Sequence, residues 1–97
     1  MSILTEIAPI NLDCYTTDPE ELWSLWQAIH FHPRKHAAVL FPNHKPLPVK
    51  VTQQLGAYAS NKATAMRCRL KGDMLGADIY EIICDQIYMR LPKSVRW

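Results

Sequence analysis

Between residues 31 and 72 the chain contains no Asp or Glu. A stretch of that kind offers no paired carboxylates for acid–base work and no oxygen cage for a hard divalent cation. Glycine is scarce: Gly56, Gly72 and Gly76 are the only three, so no glycine-rich loop can cradle a phosphate. A Gly-x-Ser-x-Gly elbow and a Cys-x-x-Cys pair are both missing, which removes the usual signatures of serine hydrolases and dithiol redox proteins. The three cysteines, Cys14, Cys68 and Cys84, are odd in number and far apart, which suits reduced thiols in a cytosol better than a disulfide framework. Cys14, next to Asp13, reads as an inert thiol, because no histidine is brought to it by the sequence. The longest apolar run, Ala37 to Pro42, is six residues, far short of the ~20 that span a bilayer. The opening Met1-Ser2-Ile3-Leu4-Thr5-Glu6 lacks the basic segment and apolar core of a secretory leader. Together these absences predict a cytoplasmic protein with no catalytic residues, no cofactor, no metal and no membrane span.

What is present is a segregation of charge. Residues 1–30 carry five acids and no Lys or Arg. Residues 31–72 carry eight bases: Arg34, Lys35, Lys45, Lys50, Lys62, Arg67, Arg69 and Lys71. Residues 73–97 are mixed, so the net charge of +2 conceals a strongly basic middle. Such a distribution implies either an acidic partner or contact between the protein's own segments.

At 97 residues, 48% hydrophobic and 21% charged, the chain fits one small ordered domain with a thin core. Residues 1–17 alternate weakly and are broken by Pro9, which reads as an extended arm. A helix is predicted over 18–31: Asp18 suits the N-cap, Pro19 the first helical position, and Glu21 the far side of a capping box. Leu22, Trp23, Leu25, Trp26 and Ile29 give it one apolar face. Residues 32–48 form a Pro/His-rich connector with a short apolar element, Ala37–Phe41, which periodicity does not assign to strand or helix.

Two further helices are expected over 49–71 and 73–91, joined so tightly at Gly72 that they must form an αα-hairpin. The first carries an apolar stripe of Val51, Leu55, Tyr58 or Ala59, Ala63, Met66 and Leu70. Its many small residues would let another helix approach closely. The second has a core stripe of Ala77, Tyr80, Ile83, Cys84, Ile87 and Leu91. In that hairpin Arg67 should lie level with Asp78, and Cys68 is too far along the axis from Cys84 for a disulfide. Residues 92–97 are a basic tail ending in Trp97. The expected fold is therefore mainly α: one capped N-terminal helix, a Pro-rich crossover and a long C-terminal αα-hairpin.

Four groups of residues invite a functional reading. His30, His32, His36 and His44 are close in sequence, but neither Cys nor carboxylate lies among them and Pro33 keeps His32 and His36 off one helical face. No metal site is assigned to them. Asp78, Glu81 and Asp85 share a helix face and read as ion-pair partners for Arg67, Arg69 or Lys71 rather than as an acid–base pair. The stretch 53–67 resembles a helix-turn-helix, with Ser60-Asn61 as the turn but without the turn glycine; one unbroken helix is the rival. If that resemblance carries function, Arg34, Lys35, Lys62, Thr64, Arg67, Arg69 and Lys71 would meet nucleic acid or another acidic partner. Finally, the apolar faces of Trp23, Trp26, Ile79, Ile82 and Tyr88 exceed what one helix and a hairpin can cover. Ile79, Ile82 and Tyr88 are assigned to a candidate protein interface together with Trp97, which either folds back on the helices or anchors a partner. The leading reading is a non-enzymatic protein-interaction or regulatory module, part of an oligomer or larger assembly. The alternative is a nucleic-acid-binding protein using residues 31–72.

Overall fold

The helix ends are fixed by the residues that flank them. The computed structural model describes residues 12, 13, 16–31 and 48–97, except for the side chains at 29, 30 and 94. Helix α1 spans Pro19–Phe31, α2 spans Val49–Leu70 and α3 spans Met74–Arg90, followed by a single 3-10 turn, Lys93–Val95. No strand occurs among the described residues, which are mainly α and form three α-helices. Most of the expected arm, the connector with its apolar element, Cys14, Arg34, Lys35, His32, His36 and His44 lie outside the described residues.

At the start of α1 the Asp18 carboxylate accepts from the Glu20 N–H at 2.9 Å, which satisfies one amide that the first turn leaves without a partner. The capping box is not formed as expected. The Asp18 N–H donates to Thr16 Oγ1 at 3.0 Å, so Thr16 occupies the role assigned to Glu21.

Helix α2 begins without a side-chain cap; the amides of Val51 and Thr52 reach the Pro48 carbonyl at 2.9 and 3.1 Å. It then runs unbroken through Ser60-Asn61. Asn61 Nδ2 donates to the Ala57 carbonyl at 2.8 Å, and Thr64 Oγ1 donates to the Ser60 carbonyl at 3.0 Å. Both bonds lie inside a continuous helix, so the helix-turn-helix reading of 53–67 is overturned. Without a turn glycine, the Ala-rich sequence has no reason to break. The stop comes at Gly72, whose φ of +80° is the left-handed conformation that glycine adopts freely. The Asp73 N–H donates to the Cys68 carbonyl at 2.8 Å and the Gly72 N–H to the Arg69 carbonyl at 3.0 Å, the paired bonds of a Schellman ending. Asp73 at once caps α3, accepting from the Gly76 N–H at 2.9 Å.

Helix α2 packs against α1 on one side and α3 on the other, and among the described elements α1 and α3 do not pack on each other. The small residues make this arrangement work. Ala59 and Ala63 are fully buried against Leu22, with Trp23, Trp26 and Met66 around them. A second cluster joins Leu12, Leu25, Leu55, Tyr58, Cys84 and Leu91. Leu70 departs from the expected core stripe at 78% exposure. Arg67 already meets Glu20 at the beginning of α1, so the last turn of α2 runs past the helix that would have covered Leu70. Because α2 separates its neighbours, α3 is packed along one face, and its far face meets neither α1 nor α2.

Candidate interaction surface

Of the four described cations assigned to an acidic partner, three are engaged within the protein. Lys62 Nζ lies 2.8 and 3.0 Å from the two Glu81 carboxylate oxygens and 3.3 Å from Asp13 Oδ1. Arg69 Nη1 joins the same Glu81 at 2.9 Å. Arg67 does not meet Asp78, as the hairpin register suggested; its Nη2 is 2.7 Å from Glu20 Oε1 on α1, and its guanidinium lies over the Trp23 ring at 4.8 Å. Thr64 is tied to the backbone of its own helix. Of the described basic candidates, Lys71 is exposed beyond the end of α2.

Electrostatics in this cluster favours the charged forms. Burial pushes the Glu81 carboxyl upward, but hydrogen bonds and charge from Lys62 and Arg69 outweigh it and hold the group below its ordinary range. Burial likewise pulls Lys62 down, and Glu81 followed by Asp13 more than reverses it. Asp13 is lowered in spite of burial because Tyr58, Trp97 and Lys62 all bond or face it. Burial, then the Asp13 hydrogen bond, pushes the Tyr58 hydroxyl up. Cys84 is buried and its thiol is pushed up to about 12, first by burial and then by Glu81, which leaves little thiolate at neutral pH. Asp78 and Asp85 are exposed while Glu81 is paired, so these three do not act together. No group of three or more His, Cys, Asp or Glu among the described residues could hold a metal ion.

Two of the four residues assigned to an interface, Tyr88 and Trp97, are half-buried against the core instead. Trp97 packs edge-on against Tyr58 and Tyr88, with ring centroids 4.9 Å apart in each case. Its indole N–H donates to Asp13 Oδ2 at 2.9 Å, and the Tyr88 hydroxyl donates to the Trp97 carbonyl. The basic tail turns back with it: Arg96 Nε donates to the Leu91 carbonyl at 2.9 Å and its Nη2 to the Met89 carbonyl at 2.7 Å. A cation thus sits where the negative end of the α3 dipole wants one. The sequence carries no local signal for Asp13 as a hub, since its contacts with Tyr58 and Trp97 span 45 and 84 residues.

Ile79 and Ile82 remain exposed, at 51% and 56%. They are joined by Leu75 at 75% and Met89 at 66%, with exposed Gln86 between them. Leu75, Ile79, Ile82, Gln86 and Met89 are spaced four, three, four and three residues apart, so they form one straight stripe. At ~100° per residue this stripe lies opposite Ala77 and Cys84, the buried side of the same helix. Sequence reading missed Leu75 and Met89 because α3 is apolar on two faces and its core stripe alone satisfied the helical pattern. Ile82, Asp85, Gln86, Met89 and Arg90 line a shallow groove along this face.

The described chain is thus an all-α protein of three helices whose middle helix is covered on two sides and whose last helix presents an apolar stripe. It matches no protein-family model, no curated protein and no solved structure. Among the described residues, no helix is long and apolar enough to cross a membrane.

Proposed function

We propose that the chain is a small non-enzymatic interaction or regulatory module that docks a partner helix along the outer face of α3, within an oligomer or a larger assembly. The observation that carries this reading is the stripe of Leu75, Ile79, Ile82 and Met89, each more than half exposed. Four large apolar side chains in one row on a small domain mark a contact surface more often than a random scatter would. Free thiols at Cys68 and Cys84 agree with a reducing compartment. The nucleic-acid alternative has lost its best supports, because Lys62, Arg67 and Arg69 are engaged by Glu81 and Glu20.

The test is site-specific photocrosslinking in cells that make the full chain. A photoreactive side chain at Ile82 or Met89 should give discrete protein adducts, and one at exposed Lys71 should give none. Absence of any adduct at both apolar positions would remove the docking reading.

A further inference from the structure

Helix α3 carries a two-heptad seam that faces away from its own core. Leu75, Ile82 and Met89 fall at the d positions of a coiled-coil repeat and Ile79 and Gln86 at the a positions. All five are exposed. The flanks of this seam differ in charge. Exposed Asp78 and Asp85 run along one side, and exposed Arg90 stands on the other.

We infer that the partner on this face is a second copy of the chain, its α3 lying parallel and in register against the first. The inference rests on the docking reading above and commits it to one occupant. Charge complementarity selects both the partner and the direction. In a parallel pair, the residue at g of one helix faces the residue five positions later, at e of the other. That rule sets Asp85 against Arg90 of the other copy, and by symmetry does so twice. An antiparallel pair, which sets Ile79 against Ile82 of the other copy and g against g, would instead bring the two acidic flanks together, Asp78 beside Asp85, also twice. Like charges directly opposed across such a seam disfavour that direction.

Gln86 supports the same choice. It interrupts an otherwise apolar seam, and in a parallel pair it meets its own counterpart, amide to amide. A single polar a position specifies register and strand number at some cost in affinity. In an antiparallel pair each a position packs against a d position, so Gln86 would meet Leu75 or Ile82 and leave its amide groups against an apolar side chain. The isologous contact also closes on itself, so the product is a dimer and not a fibre.

Purified full-length chain tests this by analytical ultracentrifugation from about 1 to 500 µM. The expected result is a reversible monomer–dimer equilibrium, with the dimer at twice the 11.2 kDa chain mass. Ile82→Asp should weaken association by roughly a hundredfold or more, and Gln86→Lys, on a fully outward position, should weaken it as well. Asp85→Arg alone should weaken it about tenfold, and adding Arg90→Asp should restore it, because the pair is only exchanged between flanks.

Direction is read from oxidation in a Cys14→Ser, Cys68→Ser background. Leu75→Cys protein should form a covalent dimer with itself. A mixture that instead joins Leu75→Cys protein only to Gln86→Cys protein would overturn the parallel arrangement. A chain that stays monomeric over the whole range, or a dimer indifferent to Ile82→Asp, would overturn the second copy as partner. Adducts to a different protein at Ile82 in cells would then still sustain the docking reading, so the two failures are distinguishable.

Discussion

Lys62 and Glu81 are joined by two hydrogen bonds, 2.8 and 3.0 Å long, across the contact between α2 and α3, with side chains only 14% and 22% exposed. Partial burial makes this pair different from a surface ion pair, because water cannot replace either partner cheaply. Lys62→Ala would leave Glu81 with Arg69 alone and would remove a cation from Asp13. It should cost about 1–3 kcal/mol in urea unfolding at neutral pH. Lys50→Ala, at an exposed position in the first turn of α2, should change stability by less than about 0.5 kcal/mol. Equal effects from the two would show that the Lys62 cluster contributes nothing beyond a solvated charge.

Acid should act on the same cluster. The folded-state pKa values of Asp13 and Glu81 lie below their ordinary 3.8 and 4.5. Near those values the unfolded chain therefore binds more protons than the folded one, and stability rises with pH there. The contribution is complete above the ordinary carboxylate range and is lost as pH falls through the folded-state values. Urea midpoints should be level from pH 7 to about 5 and decline below it. Glu81→Gln should lower the midpoint at pH 7 and shrink the acid decline. An undiminished decline in that variant would assign the acid response to other carboxylates.

The turn between α2 and α3 offers a comparison of two glycines that fail for different reasons. A Cβ at Gly72 would meet no atom within 4 Å, but its φ of +80° strains any L side chain. Gly72→Ala should therefore cost about 1 kcal/mol through the backbone alone, and Gly72→Asn should recover part of it, since Asn tolerates that region. A Cβ at Gly76 would run into the Asp73 carboxylate. Gly76→Ala should cost about 1 kcal/mol by displacing the cap, offset in part by alanine's better helix propensity. Combined with Asp73→Ala, which already removes the cap, Gly76→Ala should become neutral or stabilising. Circular dichroism with thermal melts reads all five variants, Asp73→Ala alone included, and additive costs at Asp73 and Gly76 would refute a shared cause.

The helices were legible because their signals are local. Asp18-Pro19, Gly72-Asp73 and Leu91-Pro92 each state a boundary through caps and backbone geometry that act within a few residues. The crowding of Ala59 and Ala63 likewise announced a close neighbour, which proved to be α1. The pairing of charges was not legible in the same way. Arg67 chooses Glu20, 47 residues away, over an acid on α3, and that choice depends on α1 lying antiparallel beside α2. At the end of a basic tail, Trp97 reads equally as folding back on the helices or as anchoring a partner; Asp13 and Tyr58 draw it inward through contacts no spacing rule records. The outer stripe of α3 was half visible: Ile79 and Ile82 stood out, but Leu75 and Met89 needed the buried face to be known first.

The engaged cations make a prediction about nucleic acid that the sequence alone could not decide. Each phosphate neutralised on binding releases condensed counterions, so three or four free contacts would give a log–log salt slope of roughly −3 to −4 on duplex DNA. Here Lys62 and Arg69 are held by Glu81, and Arg67 by Glu20 and the face of Trp23. Breaking those bonds to reach a phosphate would exchange one charge pair for another, with little net gain. Fluorescence anisotropy with unrelated duplex and single-stranded oligonucleotides should therefore detect only weak association at low salt, with a slope no steeper than about −1. The double substitution Arg67→Ala with Arg69→Ala should leave that slope where it is and lower stability by about 1 kcal/mol, since two ion pairs and the cover over Trp23 are lost. A steep slope that flattens by about two in the double variant would mean that these arginines leave their carboxylates for phosphate, and the nucleic-acid reading would return.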